Sequence, residues 1–195
     1  MQVVSIISTK GGVGKTTTAA NLGGFAADAG LRVLLLDLDV QPTLSSYFTL
    51  AERAPAGIYE MLAYNEQRAE QLVSHTVIER LDLVLSNDDR GELNTLLLHA
   101  PDGRLRLRHL LPTLAPRYDL LLSCYCAESA TGDKRVRRQY LRNILGLLAP
   151  GGLLLTFSCS GGIGPELFHK IVAGAGMDAG VDGALLARLE GACDH

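Results

Sequence analysis

The chain has 195 residues, of which 47% are hydrophobic and 20% are charged. These proportions are typical of a globular protein and exclude a chain that is disordered throughout. No apolar run reaches the roughly 18 residues of a membrane-spanning helix, and no basic segment precedes the apolar start, so we expect neither a membrane span nor a signal peptide. The four cysteines lack the spacing of a zinc site, and we expect reduced thiols in a cytoplasmic protein.

The net charge of −3 is unevenly distributed along the chain. Residues 1–99 contain 7 basic and 12 acidic side chains, residues 100–142 contain 9 and 4, and residues 143–195 contain 2 and 5. The basic middle segment is therefore the part with a charge suited to a polyanion. A predicted helix in it carries a cluster that could contact DNA phosphates, or could simply be a solvated helix face. The arginines of this cluster are Arg135, Arg137, Arg138 and Arg142.

Strand and helix patterns alternate along the chain. Short apolar, β-branched runs predict strands at 2–8, 32–39, 81–86, 118–122 and 152–158. Longer amphipathic patterns predict helices at 16–29, 57–73, 106–114, 134–148, 165–175 and 184–190. The first strand, helix and second strand form a βαβ unit within about 40 residues. We therefore predict one α/β fold, a mostly parallel sheet flanked by helices.

A glycine-rich loop joins the first predicted strand to the first predicted helix. Glycines let the backbone turn tightly so that successive amides can bind phosphate oxygens, and the helix that follows presents its positive end to the same anion. Lys15 would reach the β- and γ-phosphates, and the Thr16 hydroxyl would bind Mg²⁺. The predicted nucleotide-binding residues are Lys10, Gly11, Gly12, Val13, Gly14, Lys15, Thr16 and Thr17.

Two departures from the general P-loop pattern carry a more specific resemblance. Thr9 replaces the first glycine of that pattern, and a second lysine, Lys10, follows it. This combination resembles the deviant phosphate loop of the ParA/MinD partition ATPases. Asp37-Leu38-Asp39-Val40-Gln41, at the end of the second predicted strand, resembles the DxDxQ motif of the same family.

The resemblance implies a function and roles for particular residues. It implies ATP and Mg²⁺ as ligands, hydrolysis that drives homodimerisation and DNA association, and a partner protein that stimulates the ATPase. Asp39 would position the attacking water, and Asp37 would support the magnesium ion. Lys10 would reach across a dimer interface to the phosphates bound by the other subunit, as an arginine finger does.

The resemblance to partition ATPases ends near residue 122. Cys124 stands where the family places the aspartate that holds the magnesium water, and a thiol is a poor ligand for a hard cation. The stretch 134–179 instead resembles the later part of class I S-adenosylmethionine-dependent ribosomal-RNA methyltransferases. We therefore divide the chain into a P-loop region, 1–122, and a methyltransferase-like region, 123–195, which we expect to continue one sheet. A natural fusion, a frameshifted or truncated reading and a computed design all fit such a join.

Three functions are compatible with this sequence. The first is a partition-type ATPase. The second is a fragment of an RNA or DNA methyltransferase, although the chain has neither an Asp-Pro-Pro nor an Asn-Pro-Pro motif and no second glycine-rich loop for the methyl donor. The third is a nucleotide-binding module that does not hydrolyse ATP, which Cys124 makes plausible.

Overall fold

The computed structural model describes residues 1–8, 11–99, 106–126, 151–157 and 164–189. In these ranges the chain forms seven strands and seven helices. The strands are β1 (Gln2–Ser8), β2 (Val33–Asp37), β3 (Leu50–Glu52), β4 (Ser74–Thr76), β5 (Leu81–Val84), β6 (Leu120–Cys126) and β7 (Leu153–Phe157). The helices are α1 (Lys15–Asp28), α2 (Thr43–Ser46), α3 (Ile58–Ala63), α4 (Ala69–Leu72), α5 (Glu92–His99), α6 (Arg106–Leu114) and α7 (Pro165–Ala179).

All seven strands belong to one sheet, in the order β3-β4-β5-β2-β6-β1-β7. The strands from β5 to β7 are parallel, whereas β3 and β4 are antiparallel to their neighbours. The carboxyl ends of β1, β2 and β6 therefore meet at one edge of the sheet. In open α/β sheets this edge is where ligands bind. The predicted fold class, a mostly parallel sheet flanked by helices, is confirmed.

The core lies on both faces of the sheet. All five residues of β2 are buried, because helices cover this central strand from both sides. On one face, Leu35 and Leu122 pack with the buried alanines of α1. On the other face, Leu36 and Leu121 pack with residues of α3, α4 and α6. The α1 helix approaches the sheet so closely that a Cβ atom at Gly23 would lie 2.9 Å from a Leu35 methyl carbon.

The strand after the predicted join belongs to the same sheet. β7 pairs in parallel with β1, from Val4↔Leu153 to Ser8↔Phe157. β6 pairs in parallel with the other edge of β1. The expectation that both predicted strands extend one sheet therefore agrees with the structure. The division of the chain at residue 122 remains a prediction.

Two predicted helices differ from the structure. The pattern at 57–73 forms two short helices, α3 and α4, because Asn65 adopts a positive φ of 58° that a continuous helix cannot contain. Residues 181–189 form no helix, so the prediction at 184–190 is wrong over its described part. The tail follows Gly180, whose left-handed backbone ends α7, and its leucines are exposed. A seven-residue helix without tertiary packing is unstable in water.

Smaller differences affect the bounds of several elements. The second strand ends at Asp37 rather than residue 39, β6 continues to Cys126, and α7 extends to Ala179. The elements α2, β3, β4 and α5 were not predicted. The first three have only three or four residues, too few to show a hydrophobic period, whereas α5 has eight. The predicted helix at 134–148 and its arginine cluster lie outside the described residues. None of the described helices is long and apolar enough to span a membrane.

Candidate nucleotide-binding site

A cleft of about 620 Å³ lies at the carboxyl-terminal edge of the sheet, between the glycine-rich loop and the segment that follows β2. The loop contributes glycines, Lys15 and two threonines, and the other wall begins at Asp39. The lining residues are Gly11, Gly12, Gly14, Lys15, Thr16, Thr17, Asp39, Val40, Gln41, Thr43 and Tyr47. Most of the predicted phosphate loop therefore faces one cavity. Val13 belongs to the same loop but is not among the lining residues.

The glycines of the loop have the backbone that a phosphate cradle requires. Gly12 and Gly14 have φ values of 73° and 83°, in the region that side chains disfavour. No atom lies within 4 Å of where a Cβ would stand on either residue, so the backbone is open toward the cleft. α1 begins directly after Gly14, and the amide of Thr18 donates to the Gly14 carbonyl at 2.8 Å. The positive end of α1 thus lies at the cleft.

Lys15 is the first residue of α1 and lines the cleft, although only 5% of its surface is exposed. A lysine so deeply buried loses much of its hydration, and a bound anion restores favourable electrostatics. Thr16 and Thr17 follow on the first turn of the helix, and both line the same cavity. The Thr17 hydroxyl lies 3.4 Å from the Tyr47 hydroxyl on the opposite wall.

Asp37 is the last residue of β2 and is 1% exposed. Its Oδ2 accepts hydrogen bonds from the Ser45 amide at 2.7 Å and from the Ser45 hydroxyl at 2.8 Å. Burial raises the pKa of the Asp37 carboxyl to about 6, and the bonds from Ser45 oppose that rise. The carboxylate is therefore mainly ionised at neutral pH, and a cation beside it would offset the cost of burying its charge.

Asp39 stands two residues later on the cleft wall. Its amide lies 3.4 Å from Asp37 Oδ1, and its own Oδ1 lies 3.4 Å from the Gln41 amide. The Asp39 carbonyl accepts a hydrogen bond from the Ser86 hydroxyl, which follows β5. The segment after β2 is thus attached by its backbone to the neighbouring strand of the sheet.

Cys124 lies beside Asp37 in the sheet. The register of β2 and β6 pairs the two residues directly, and Cys124 is 1% exposed. The Thr16 side chain is close enough to the thiol to oppose part of the rise in its pKa. Burial, reinforced by the negative charge of Asp37, raises the pKa of the Cys124 thiol to about 12. A neutral thiol therefore stands among the residues that the sequence assigns to magnesium.

The residues present fit a nucleotide better than a free metal ion. The cradle is open, its lysine is buried, and Asp37 carries charge at neutral pH. In the part of the chain that the structure describes, no group of three or more His, Cys, Asp or Glu side chains could hold a metal ion. Magnesium would therefore need oxygen ligands from the nucleotide itself, which is its usual mode with phosphates.

Some residues predicted to act at the site lie outside the described ranges, and some residues that line the cleft were not predicted. The position of Lys10, like that of the arginine cluster, is not described. Sequence reasoning missed Val40, Gln41, Thr43 and Tyr47 as lining residues. Their nearness along the chain to Asp39, at a strand end where ligands bind, was a signal that could have identified them.

A mostly parallel sheet with a glycine loop between β1 and α1 defines the class of P-loop nucleotide-binding proteins. Residues 1–127 match the family model described as AAA domain. The ParA chromosome partitioning protein of Myxococcus xanthus is 34% identical over 122 residues, which is 62% of this chain and 43% of that protein. The chain therefore belongs to the AAA domain family that this model describes, and within it to the ParA/MinD group. It spans less than half the length of this relative.

Solved structures show the same fold. A plasmid partition protein from Borrelia burgdorferi has a TM-score of 0.62 at 21% identity, covering 89% of this chain and 74% of that one. The cobyrinic acid a,c-diamide synthase of Mycobacterium smegmatis, solved with ADP and magnesium, has a TM-score of 0.62 at 23% identity, covering 80% and 74%. At these identities the likeness concerns the fold alone.

A second relative supports the other resemblance. The ribosomal RNA large subunit methyltransferase I of Shewanella amazonensis is 59% identical to this chain over 49 residues. The match covers 25% of this chain but only 12% of that enzyme. Part of the chain is therefore similar to a short piece of a methyltransferase.

Proposed function

We propose that the chain is a nucleotide-binding module that takes ATP with Mg²⁺ in the cleft between the glycine loop and Asp39. The observation that carries this proposal is Lys15, a nearly buried lysine that lines an open cavity beside two left-handed glycines. A structural lysine would ordinarily extend into solvent. Burial of its charge beside a backbone cradle is what phosphate binding requires.

We assign roles to the residues around this cradle. Lys15 and the loop amides would hold the phosphates, while Thr16 and Asp37 would hold the magnesium ion. When bound, the ion would neutralise charge on the phosphate oxygens. Asp39, on the opposite wall, would orient the attacking water by accepting a hydrogen bond from it. Lys10 would supply a further cation to the nucleotide of a second subunit.

We expect hydrolysis to be slow, because Cys124 lies beside Asp37 and Thr16. An ionised carboxylate at that position would accept strong hydrogen bonds from the water shell of the metal ion. A neutral thiol accepts weakly. The module would then bind ATP well and stay in the ATP-bound state for a long time.

Dimerisation and DNA association extend the proposal beyond the cleft. The matched relative is named a chromosome partitioning protein, and the basic segment 100–142 has a charge suited to DNA phosphates. We propose that the ATP-bound dimer contacts DNA through Arg135, Arg137, Arg138 and Arg142. A partner protein would stimulate the ATPase.

Equilibrium dialysis with ATP and magnesium, followed by steady-state phosphate release, tests this function. We expect micromolar binding of ATP and a phosphate release rate well below one per second. Asp39→Asn should leave binding almost unchanged and abolish the remaining release. Absence of ATP binding by the folded chain would contradict the proposal.

The methyltransferase relative favours a second function for the part of the chain that matches it. A 59% identity over 49 residues is high, and S-adenosylmethionine binding by this chain would support that function. Against it, the match covers only 12% of that enzyme, so most of the enzyme lies outside the similarity. We therefore favour nucleotide binding.

A further inference from the structure

A continuous set of hydrogen bonds links the ends of the neighbouring strands β2 and β5. The Ser45 amide and hydroxyl donate to Asp37 Oδ2 at 2.7 and 2.8 Å. The Ser86 amide donates to the Ser45 hydroxyl oxygen at 3.0 Å, and the Ser86 hydroxyl donates to the Asp39 carbonyl. Two serines thus connect both aspartates of the candidate site to the sheet.

The Ser45 hydroxyl has a fixed orientation because it both donates and accepts. Its proton points to Asp37, and its oxygen receives the amide of Ser86. The Ser45 side chain cannot change its χ1 rotamer without losing both bonds, and one of these bonds is to an ionised group. The serine pair is therefore stiffer than an isolated serine at the surface would be.

The bonds also distinguish the two oxygens of Asp37. Both short bonds go to Oδ2. Among the described residues, Oδ1 receives one long contact, from the Asp39 amide at 3.4 Å. A carboxylate oxygen has about two acceptor sites, so Oδ1 retains acceptor capacity for a ligand while Oδ2 anchors the side chain.

We infer that Ser45 and Ser86 are positioning residues that hold Asp37 and Asp39 ready for a magnesium–nucleotide complex. The inference rests on the proposed function of the cleft. Ser45 acts through Asp37, so its loss should weaken only the magnesium-dependent part of ATP binding. Ser86 acts through the Ser45 hydroxyl and the Asp39 backbone, so its effect should be smaller.

Ser46 provides a matched control on the same short helix. Its hydroxyl donates to the Thr43 carbonyl at 2.8 Å, within the α2 segment, and the side chain is exposed. Ser46→Ala removes one hydroxyl from the same helix without changing the bonds to Asp37. A general effect of losing a serine from α2 would appear equally in both variants.

The test is calorimetric titration of ATP into the full chain, in excess Mg²⁺ and in EDTA. We expect Ser45→Ala to weaken ATP binding about tenfold in Mg²⁺, the value of one hydrogen bond to a charged group, and less than twofold in EDTA. Ser86→Ala should weaken it about threefold in Mg²⁺. Ser46→Ala should match the wild type under both conditions, and Ser45→Thr, which keeps the hydroxyl, should restore most of the affinity.

The inference is overturned if Ser45→Ala binds ATP in Mg²⁺ as tightly as the wild type does. It is also overturned if Ser45→Ala loses ATP affinity by the same factor in Mg²⁺ and in EDTA. If Ser45→Ala does not fold, judged by circular dichroism, the Ser86→Ala titration decides in the same way. A wild-type chain that binds ATP in neither buffer would refute the proposed function, and the positioning role with it. If the wild type binds ATP and the serine variants bind it equally tightly, only the positioning role is refuted.

Discussion

The two parts of the sheet differ in how they are covered. β2 is fully buried, and helices pack on both of its faces. β7 begins with an exposed residue and its other residues are only partly buried, while α7 leaves Met177 81% exposed. The family match ends at residue 127, before both elements. A strand can thus pair in register at the edge of a sheet without the burial that the central strands have.

The comparison also separates function from architecture. Every described residue that lines the cleft lies between Gly11 and Tyr47. β7 supports this region by pairing with β1, the strand that leads into the loop. β7 therefore contributes to the sheet that supports the cleft, whereas the described residues that line the cleft all lie in the first fifty.

Replacing one lysine in each region should give the largest difference in ATP affinity. Lys15→Ala should weaken ATP binding at least 100-fold, because it removes the buried cation that faces the phosphates. Lys170→Ala, on the exposed surface of α7, should leave the affinity unchanged. Calorimetric titration measures both. A Lys15→Ala variant that keeps wild-type affinity would show that the cleft is not the ATP site.

Truncating one leucine in each region compares their packing. Leu122 in β6 is fully buried, whereas Leu155 in β7 is partly buried against the same apolar layer. Leu122→Ala should lower the free energy of unfolding by about 3 kcal/mol, and Leu155→Ala by about 1 kcal/mol. Urea denaturation measures both values. Equal losses would mean that β7 belongs to the core as fully as β6 does.

Removing Lys10 should separate binding from assembly. Lys10→Ala should keep ATP affinity within about threefold of the wild type, because Lys15 holds the phosphates of the same chain. If Lys10 reaches a second subunit, the ATP-dependent dimer should weaken at least tenfold and hydrolysis should fall with it. Light scattering with and without ATP measures the dimer. An unchanged dimer would argue against a role across an interface.

Introducing a carboxylate at position 124 should change the rate of ATP hydrolysis by a smaller factor. Cys124→Asp should raise the rate of ATP hydrolysis several-fold, since an ionised group beside Asp37 would orient the water shell of magnesium. Cys124→Asn introduces a side chain of nearly the same shape as aspartate but without its charge, and it should not raise the rate of ATP hydrolysis. Steady-state phosphate release at saturating magnesium compares the three proteins. Equal rates, or a faster Cys124 form, would refute the explanation.

Local sequence patterns predicted the parts of the fold and site that depend on local chemistry. The glycine loop was predicted because its residues are consecutive, and β1 because its run is apolar and β-branched almost without interruption. The bond between Ser86 and Ser45 was not, since these residues are 41 positions apart and meet only through the pairing of β2 with β5. The break between α3 and α4 was missed because Asn65 carries no pattern that distinguishes a left-handed residue from a helical one.

Side-by-side binding of labelled ATP and labelled S-adenosylmethionine to the intact chain tests the central claim most directly. The cradle of Gly12, Gly14 and Lys15 is the site that we propose for ATP, whereas the similarity to a methyltransferase covers only 12% of that enzyme. We expect saturable binding of ATP that unlabelled ATP displaces, and no binding of S-adenosylmethionine at the same concentrations. Saturable binding of S-adenosylmethionine without binding of ATP would contradict the account.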